Sequence, residues 1–168
     1  WFMLFHKEKN IVVLATKFST AANLVKKVKS MMKNLPDWLK IAQIDVDNRT
    51  SFELSNGSII KAVPTSEDAG RSEALSLLVV DEAAQIEKMN DIWTGGRCIA
   101  LSTPKGTGNW FHKTYANSVD GENEFNPIKL MWDVHPERDQ AWFEKETKNM
   151  SKRQIAQELI CNFNTSGD

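Results

Sequence analysis

Two adjacent carboxylates, Asp81 and Glu82, directly follow the apolar run Leu75-Ser76-Leu77-Leu78-Val79-Val80. A strand that ends this way opens onto the crevice where open α/β sheets bind ligands, outside the carboxyl ends of their strands. The pair suits phosphate hydrolysis: the first acid can help hold Mg²⁺, and the second can orient or deprotonate the attacking water. The plainer alternative is that Asp-Glu caps the next helix, where negative charge meets the positive end of the helix dipole. A second set of polar groups, Ser102-Thr103, closes the next apolar segment, Arg97-Cys98-Ile99-Ala100-Leu101. Hydroxyls beside a carboxylate pair can sense a γ-phosphate, although Ser, Thr and Pro also crowd strand ends as turn formers.

The elements that must position these groups follow from hydrophobic spacing. Leu75 to Val80 is almost continuously apolar, as in a strand buried on both faces of a parallel sheet. Ile11 to Ala15 reads the same way. From Ser19 the apolar residues Ala21, Leu24, Val25, Val28, Met31 and Met32 recur at helical spacing with lysines opposite, and Pro36 closes that region. Strand, helix, strand is the crossover unit of a parallel sheet. Arg49–Leu54 and Ser58–Val63 flank Ser55-Asn56-Gly57, a turn signal that predicts a β-hairpin. After Glu82 a helical segment through about Ile92 reaches Gly95-Gly96 and the Arg97–Leu101 strand, a tight crossover. Beyond Lys105-Gly106-Thr107-Gly108 the pattern predicts a helix from Asn109 to about Asn117 and a strand from Phe125 to Trp132. Two helices then follow, over Gln140–Asn149 and Ser151–Cys161, the second opened by the capping box Ser151 and Gln154.

Composition narrows the classes. The chain has 168 residues, 41% hydrophobic and 26% charged, with a formal net charge of −1. That describes an ordinary globular domain with no global basic field for nucleic acid. Lys26, Lys27, Lys29 and Lys33 form the best local cationic patch, although such a helix face is commonly just solvated. Cys98 and Cys161, without C-x-x-C spacing, read as small hydrophobes in a reducing compartment, and His6, His112 and His135 form no metal cluster. The apolar opening Trp1-Phe2-Met3-Leu4-Phe5 is too short to span a bilayer and lacks the basic leader of a signal peptide. It reads as the end of a buried helix.

In combination, Leu78-Val79-Val80-Asp81-Glu82-Ala83-Ala84 resembles the Walker B segment of the large terminase subunit, the ATP-driven DNA-packaging motor of tailed phages. Leu101-Ser102-Thr103-Pro104-Lys105-Gly106 with Gly108-Asn109-Trp110-Phe111 resembles that family's coupling motif and the helix after it. Pro64-Thr65-Ser66 through Gly70-Arg71-Ser72 is similar to the loop before Walker B. Trp132-Asp133-Val134-His135-Pro136 and the Gln157-Glu158 helix resemble the end of the domain. The resemblance implies an α/β, P-loop-type (ASCE) ATPase fold, a mostly parallel central sheet flanked by helices with a β-hairpin addition. It implies ATP and Mg²⁺ as cofactors, with Asp81 coordinating the metal through water and Glu82 activating the hydrolytic water. Ser102 and Thr103 would report nucleotide state to a moving subdomain. Arg71 would be an arginine finger reaching a neighbouring subunit's nucleotide, against the alternative of a loop arginine paired with Glu67, Asp68 or Glu73. The implied partners are double-stranded DNA, the portal protein and the small terminase subunit, in a homo-oligomeric ring on the procapsid. The implied location is the host cytoplasm during infection, at the procapsid portal and outside the mature virion, with no membrane.

The sequence departs from the family pattern in three places. No G-x-x-x-x-G-K-[ST] occurs, and Lys105-Gly106-Thr107-Gly108 lacks its spacing and follows the wrong strand. In the family the phosphate loop precedes the helix whose end is read at Trp1 to Phe5, so residues 1–168 are expected to be an ATPase domain truncated at its front. Trp93-Thr94 runs straight into Gly95-Gly96 where the family has a longer helix and loop. The family's nuclease domain is not contained, and residues 164–168 are expected to begin the linker to it. Two rivals accompany the motor reading: a helicase-type DNA-dependent ATPase, and an inactive ATPase-like piece with a structural or oligomerisation role. On the motor reading itself, the chain alone is not expected to turn over ATP.

Overall fold

Why the chain builds a sheet first is plain from β1 (Asn10–Leu14), where four of five residues are fully buried. Branched, apolar side chains on both faces suit a strand covered on both sides. In the computed structural model, which describes residues 1–65, 74–93 and 95–167, β1 lies inside a six-stranded sheet. The others are β2 (Ile44–Asp47), β3 (Ser51–Leu54), β4 (Ile59–Ala62), β5 (Leu77–Val80) and β6 (Cys98–Ala100), in the order β2-β3-β4-β1-β5-β6. β1 runs parallel to β4 and β5, and β5 parallel to β6; β2 and β3 are antiparallel additions at the far side. The expected mostly parallel sheet with a hairpin addition is therefore found.

The chain forms two compact units, Trp1–Leu101 and Ser102–Asp168. In the first, α1 (Phe2–Phe5) and α2 (Phe18–Lys33) accompany the sheet. α2 buries Ala21 and Val25 completely, and with β1 and the hairpin residues Phe52 and Leu54 they make one apolar core. The hairpin turn also serves α1. Gly57 takes the positive φ of 79° that a tight turn needs, while the Asn56 amide donates to the Met3 carbonyl at 2.9 Å and accepts from the Ser58 N–H at 3.0 Å. The fully buried Ser58 hydroxyl donates to the His6 carbonyl at 2.8 Å. The last turn of a four-residue helix, which could not hold itself, is thus completed by side chains from the hairpin.

Some expectations are corrected, and one strand is added. Ile44–Asp47 is edge strand β2; its three exposed residues and irregular register against β3 leave it little of the usual strand signal. The segment after Glu82 is not one helix but a 3-10 turn (Ala83–Gln85) followed by a single-turn helix α3 (Met89–Ile92), whose Met89 and Ile92 plug the core. Phe125 to Trp132 is not a strand. With no strand beside it among the described residues it stays irregular, Ile128 and Leu130 are exposed, and Trp132 opens a 3-10 turn. Apolar residues make a strand only where a ladder partner satisfies the backbone.

The second unit is helical, with α4 (Trp110–Val119), α5 (Gln140–Thr147) and α6 (Lys152–Glu158). The Ser151/Gln154 capping box is present. α6 stops before Cys161, which takes a left-handed φ of 53°, so that cysteine lies past the helix. Phe163 then packs on the rings of Phe111, His112 and Tyr115, and Trp132 packs on Trp142 and Phe143. The tail is held: Ser166 is fully buried and accepts from the Gly106 N–H at 3.1 Å. Both cysteines are free thiols and half-buried. No helix among the described residues is long and apolar enough to cross a membrane.

Candidate active site

The carboxyl ends of β1 and β5 carry the candidate site residues of the first unit. Parallel pairing puts Leu14 beside Val80 and Val80 beside Ala100, so the residues that follow emerge along one edge. The Asp81 N–H donates to the Leu14 carbonyl at 2.9 Å, and the Leu101 N–H to the Val80 carbonyl at 2.8 Å. The sheet ladder thereby extends one residue past each strand. At Glu82 the backbone turns left-handed, φ 55° and ψ 38°, a region that costs a non-glycine residue about 1–3 kcal/mol. Two bonds hold it there. The Glu82 N–H donates to the Asp81 Oδ1 at 3.0 Å, and the Ala83 N–H donates to the Leu101 carbonyl at 2.9 Å. Buried Ala83 and Ala84 seat the turn that follows.

This geometry speaks against the capping alternative for the Glu82 side chain. Glu82 occupies the position before a 3-10 turn of three residues, yet its side chain makes no capping bond. Its carboxylate instead accepts a hydrogen bond from the hydroxyl of Thr16, two residues beyond the end of β1. Asp81 is half-buried with one oxygen engaged by the backbone; Glu82 is exposed. No set of three or more His, Cys, Asp or Glu side chains among the described residues could hold a metal alone. One carboxylate with a remaining oxygen fits a Mg²⁺ that keeps its waters and arrives with a phosphate ligand, which is how Mg²⁺ is usually held.

Ser102 and Thr103 begin the second unit, and contacts within that unit arrange them. The Ser102 hydroxyl donates to the Thr103 carbonyl at 2.8 Å, and the Thr103 Oγ1 accepts from the Gln157 side chain of α6 at 3.5 Å. Pro104 and Gly106 are buried. Gly106, at φ 65°, lies so close to Gly167 that an added Cβ would meet its Cα at 2.9 Å. The Lys105–Gly108 stretch leads into α4, where the Asn109 side chain accepts from the His112 N–H at 2.9 Å and donates to the Lys105 carbonyl at 2.9 Å. Arg71 lies outside the described residues. Of the lysine patch, Lys29 pairs with Asp47 of β2 and reaches the Asn48 carbonyl at 2.6 Å, while Lys33 reaches Asp47 at 3.4 Å. Half of the patch thus ties α2 to the sheet edge, and Lys26 and Lys27 remain exposed. Sequence reasoning missed Thr16, Asp47 and Gln157, whose partners lie 66, 18 and 54 residues away.

No protein-family model matches the chain. Solved structures do. The large terminase of a thermophilic bacteriophage superposes with a TM-score of 0.74 over 98% of this chain and 43% of its own, at 14% identity. The large terminase ATPase domain of Thermus phage P74-26 superposes at 0.69 over 95% of this chain and 79% of its own, at 19% identity. The large terminase of bacteriophage HK97 gives 0.58 over 90% of this chain and 32% of its own, at 15% identity. The fold is that of a phage large terminase ATPase domain. The P-loop (ASCE) architecture expected from the resemblance is therefore present, and in the terminase fold Asp81 and Glu82 stand at the carboxyl edge of the parallel strands. The chain spans less than half the length of the thermophilic-phage and HK97 terminases it matches.

Proposed function

We propose that residues 1–168 form ATPase motor domain of a phage large terminase and serve to couple ATP hydrolysis to packaging of double-stranded DNA into a procapsid. One observation carries the reading: a terminase ATPase fold presents Asp81-Glu82, the Walker B pair of this proposal, at the end of β5, with Glu82 turned away from helix capping. Asp81 would help hold Mg²⁺, which would supply positive charge at the phosphates, and Glu82 takes the proton of the attacking water. ATP is the nucleotide; complexes of the thermophilic-phage terminase with ADP and with ATP-γ-S support nucleotide binding by this fold. Ser102 and Thr103 pass the nucleotide state on, with Gln157 against Thr103 as the first relay. Arg71 acts as the finger towards a neighbouring subunit's nucleotide in a homo-oligomeric ring. The partners of that ring are the portal protein, the small terminase subunit and DNA, in the host cytoplasm at the portal and not in the mature virion.

The test is Glu82→Gln in the packaging ATPase that carries this domain. ATP binding should persist while turnover falls by roughly 10²–10⁴-fold, the usual contribution of a positioned general base. Unchanged turnover would instead favour an ATPase-like domain with a structural role.

A further inference from the structure

We propose that the turn formed by residues 162–167 is a latch on the loop of residues 102–108, so that the loop cannot change shape without moving the turn. The inference rests on the reading of Ser102 and Thr103 as reporters of nucleotide state and adds the element that receives the report. Asn164 and Thr165 are exposed, as polar residues at a turn should be, but the next residue, Ser166, is fully buried. Its hydroxyl is engaged twice: it accepts from the Gly106 N–H at 3.1 Å and donates to the Phe163 carbonyl at 3.1 Å. The Gly106 carbonyl is engaged too, by the Asn109 side-chain amide at 3.5 Å. Movement of the loop alone would strand a donor and an acceptor inside the protein, and an unpaired buried polar group costs more than its hydrogen bond contributes.

Steric fit removes the remaining slack. Gly106 is left-handed at φ 65°, and a Cβ on Gly106 would meet the Gly167 Cα at 2.9 Å, as one on Gly167 would meet the Gly106 Cα at 3.1 Å. The turn is stiffened by its own bonds. The Asn162 Oδ1 accepts from the Asn164 N–H at 2.9 Å and the Thr165 N–H at 3.2 Å, the Asn162 carbonyl accepts from the Ser166 N–H at 3.2 Å, and Phe163 is seated on Phe111, His112 and Tyr115. It is also fastened to α6: the Asn162 N–H donates to the Ala156 carbonyl at 2.8 Å, and the residue after Ala156 is Gln157, which meets Thr103. The loop is thus held at Thr103 by α6 and at Gly106 by the turn that follows α6, two points on one connected piece. Coupling of this kind is reciprocal: what a nucleotide does to the loop it does to the turn, and a pull on the turn acts back on the loop.

Ser166→Ala removes the bond with little loss of volume; Gly167→Ala, at a residue whose backbone is not left-handed, presses on Gly106 instead. In the 168-residue chain, Ser166→Ala should speed amide exchange of Gly106 roughly five- to tenfold, the loss of one ordinary hydrogen bond, and Gly167→Ala should speed it as well. Unchanged exchange at Gly106 in both variants would overturn the latch. In the packaging ATPase, ATP-γ-S should change exchange at residues 102–108 and 162–167 together in the parent, and at 102–108 alone in the two variants. If neither segment responds in the parent, the loop is no reporter and the proposal falls with that reading. If one responds without the other, the latch is overturned, whereas a response at the loop alone leaves the reporter reading in place. A turn that still responds in both variants overturns the latch too, because the contact at Gly106 is then not the link.

Discussion

Glu82 is an expensive residue to place, because a β-carbon in the left-handed region meets its own backbone and glycine would be the comfortable choice. It sits there with the side chain bonded to Thr16 and not to a helix end. Cys98 stands for the opposite kind of residue. Burial in β6 pushes its thiol up to about 12 from an ordinary 9.0, so at pH 8 it holds its proton and should react with iodoacetamide far more slowly than a free cysteine. The sign for stability follows. Above pH 9 the unfolded chain ionises this thiol while the folded chain does not, so Cys98 favours folding below that pH and loses the effect as pH rises towards 12. Urea midpoints at pH 8 and pH 10.5 should fall more in the parent than in Cys98→Ala. Equal falls would mean that the thiol is not shielded.

Among the elements, the hairpin is more than an addition to the sheet. Phe52 is almost wholly buried between β3 and the helix face, with the Lys29 ammonium 5.9 Å from its ring centre. Phe52→Ala should therefore cost about 3–5 kcal/mol in denaturant unfolding of the first unit, the range for a fully buried aromatic. A loss below 1 kcal/mol would mean that the hairpin is not part of the core. Edge strand β2 is joined to α2 through Asp47, whose carboxyl is held below its ordinary value chiefly by the hydrogen bond from Lys29. A depressed carboxylate adds stability above the pKa of the unfolded chain and loses it as pH falls through the folded value. Asp47→Asn should remove that acid-side dependence, measurable as a flatter stability curve below pH 4. In the second unit, Gly106→Ala should loosen the Gly106–Gly167 contact twice over, by the backbone conformation and by the clash, and speed amide exchange at Ser102 to Gly108.

At the scale of the whole molecule, the 168 residues contain no G-x-x-x-x-G-K-[ST] to cradle phosphates. The 168-residue chain should accordingly show no heat of ATP binding by calorimetry and no turnover, even with Glu82 and Asp81 intact. Micromolar ATP affinity would mean that phosphates are gripped by some other element of these residues. The exposed Lys26 and Lys27, the half of the α2 patch not bound to Asp47, should give at most weak DNA binding that weakens steeply with salt.

Hydrophobic spacing was enough to read β1, β3, β4, β5 and α2, because each either buries a continuous apolar run or shows a period that water on one side enforces, and β6 was read from its apolar composition although Ile99 is exposed. The acid pair was legible for a related reason: charges at the end of a buried strand have few places to go but its ligand edge. Short-range pattern could not show that Phe125 to Trp132 lacks a neighbouring strand, that Ile44 to Asp47 gains one, or that Asn56 completes α1. Those outcomes depend on which distant segment lies alongside. The partnership of Thr16 with Glu82 belongs to that second class, since the parallel register of β1 and β5 alone brings a hydroxyl to a carboxylate 66 residues away.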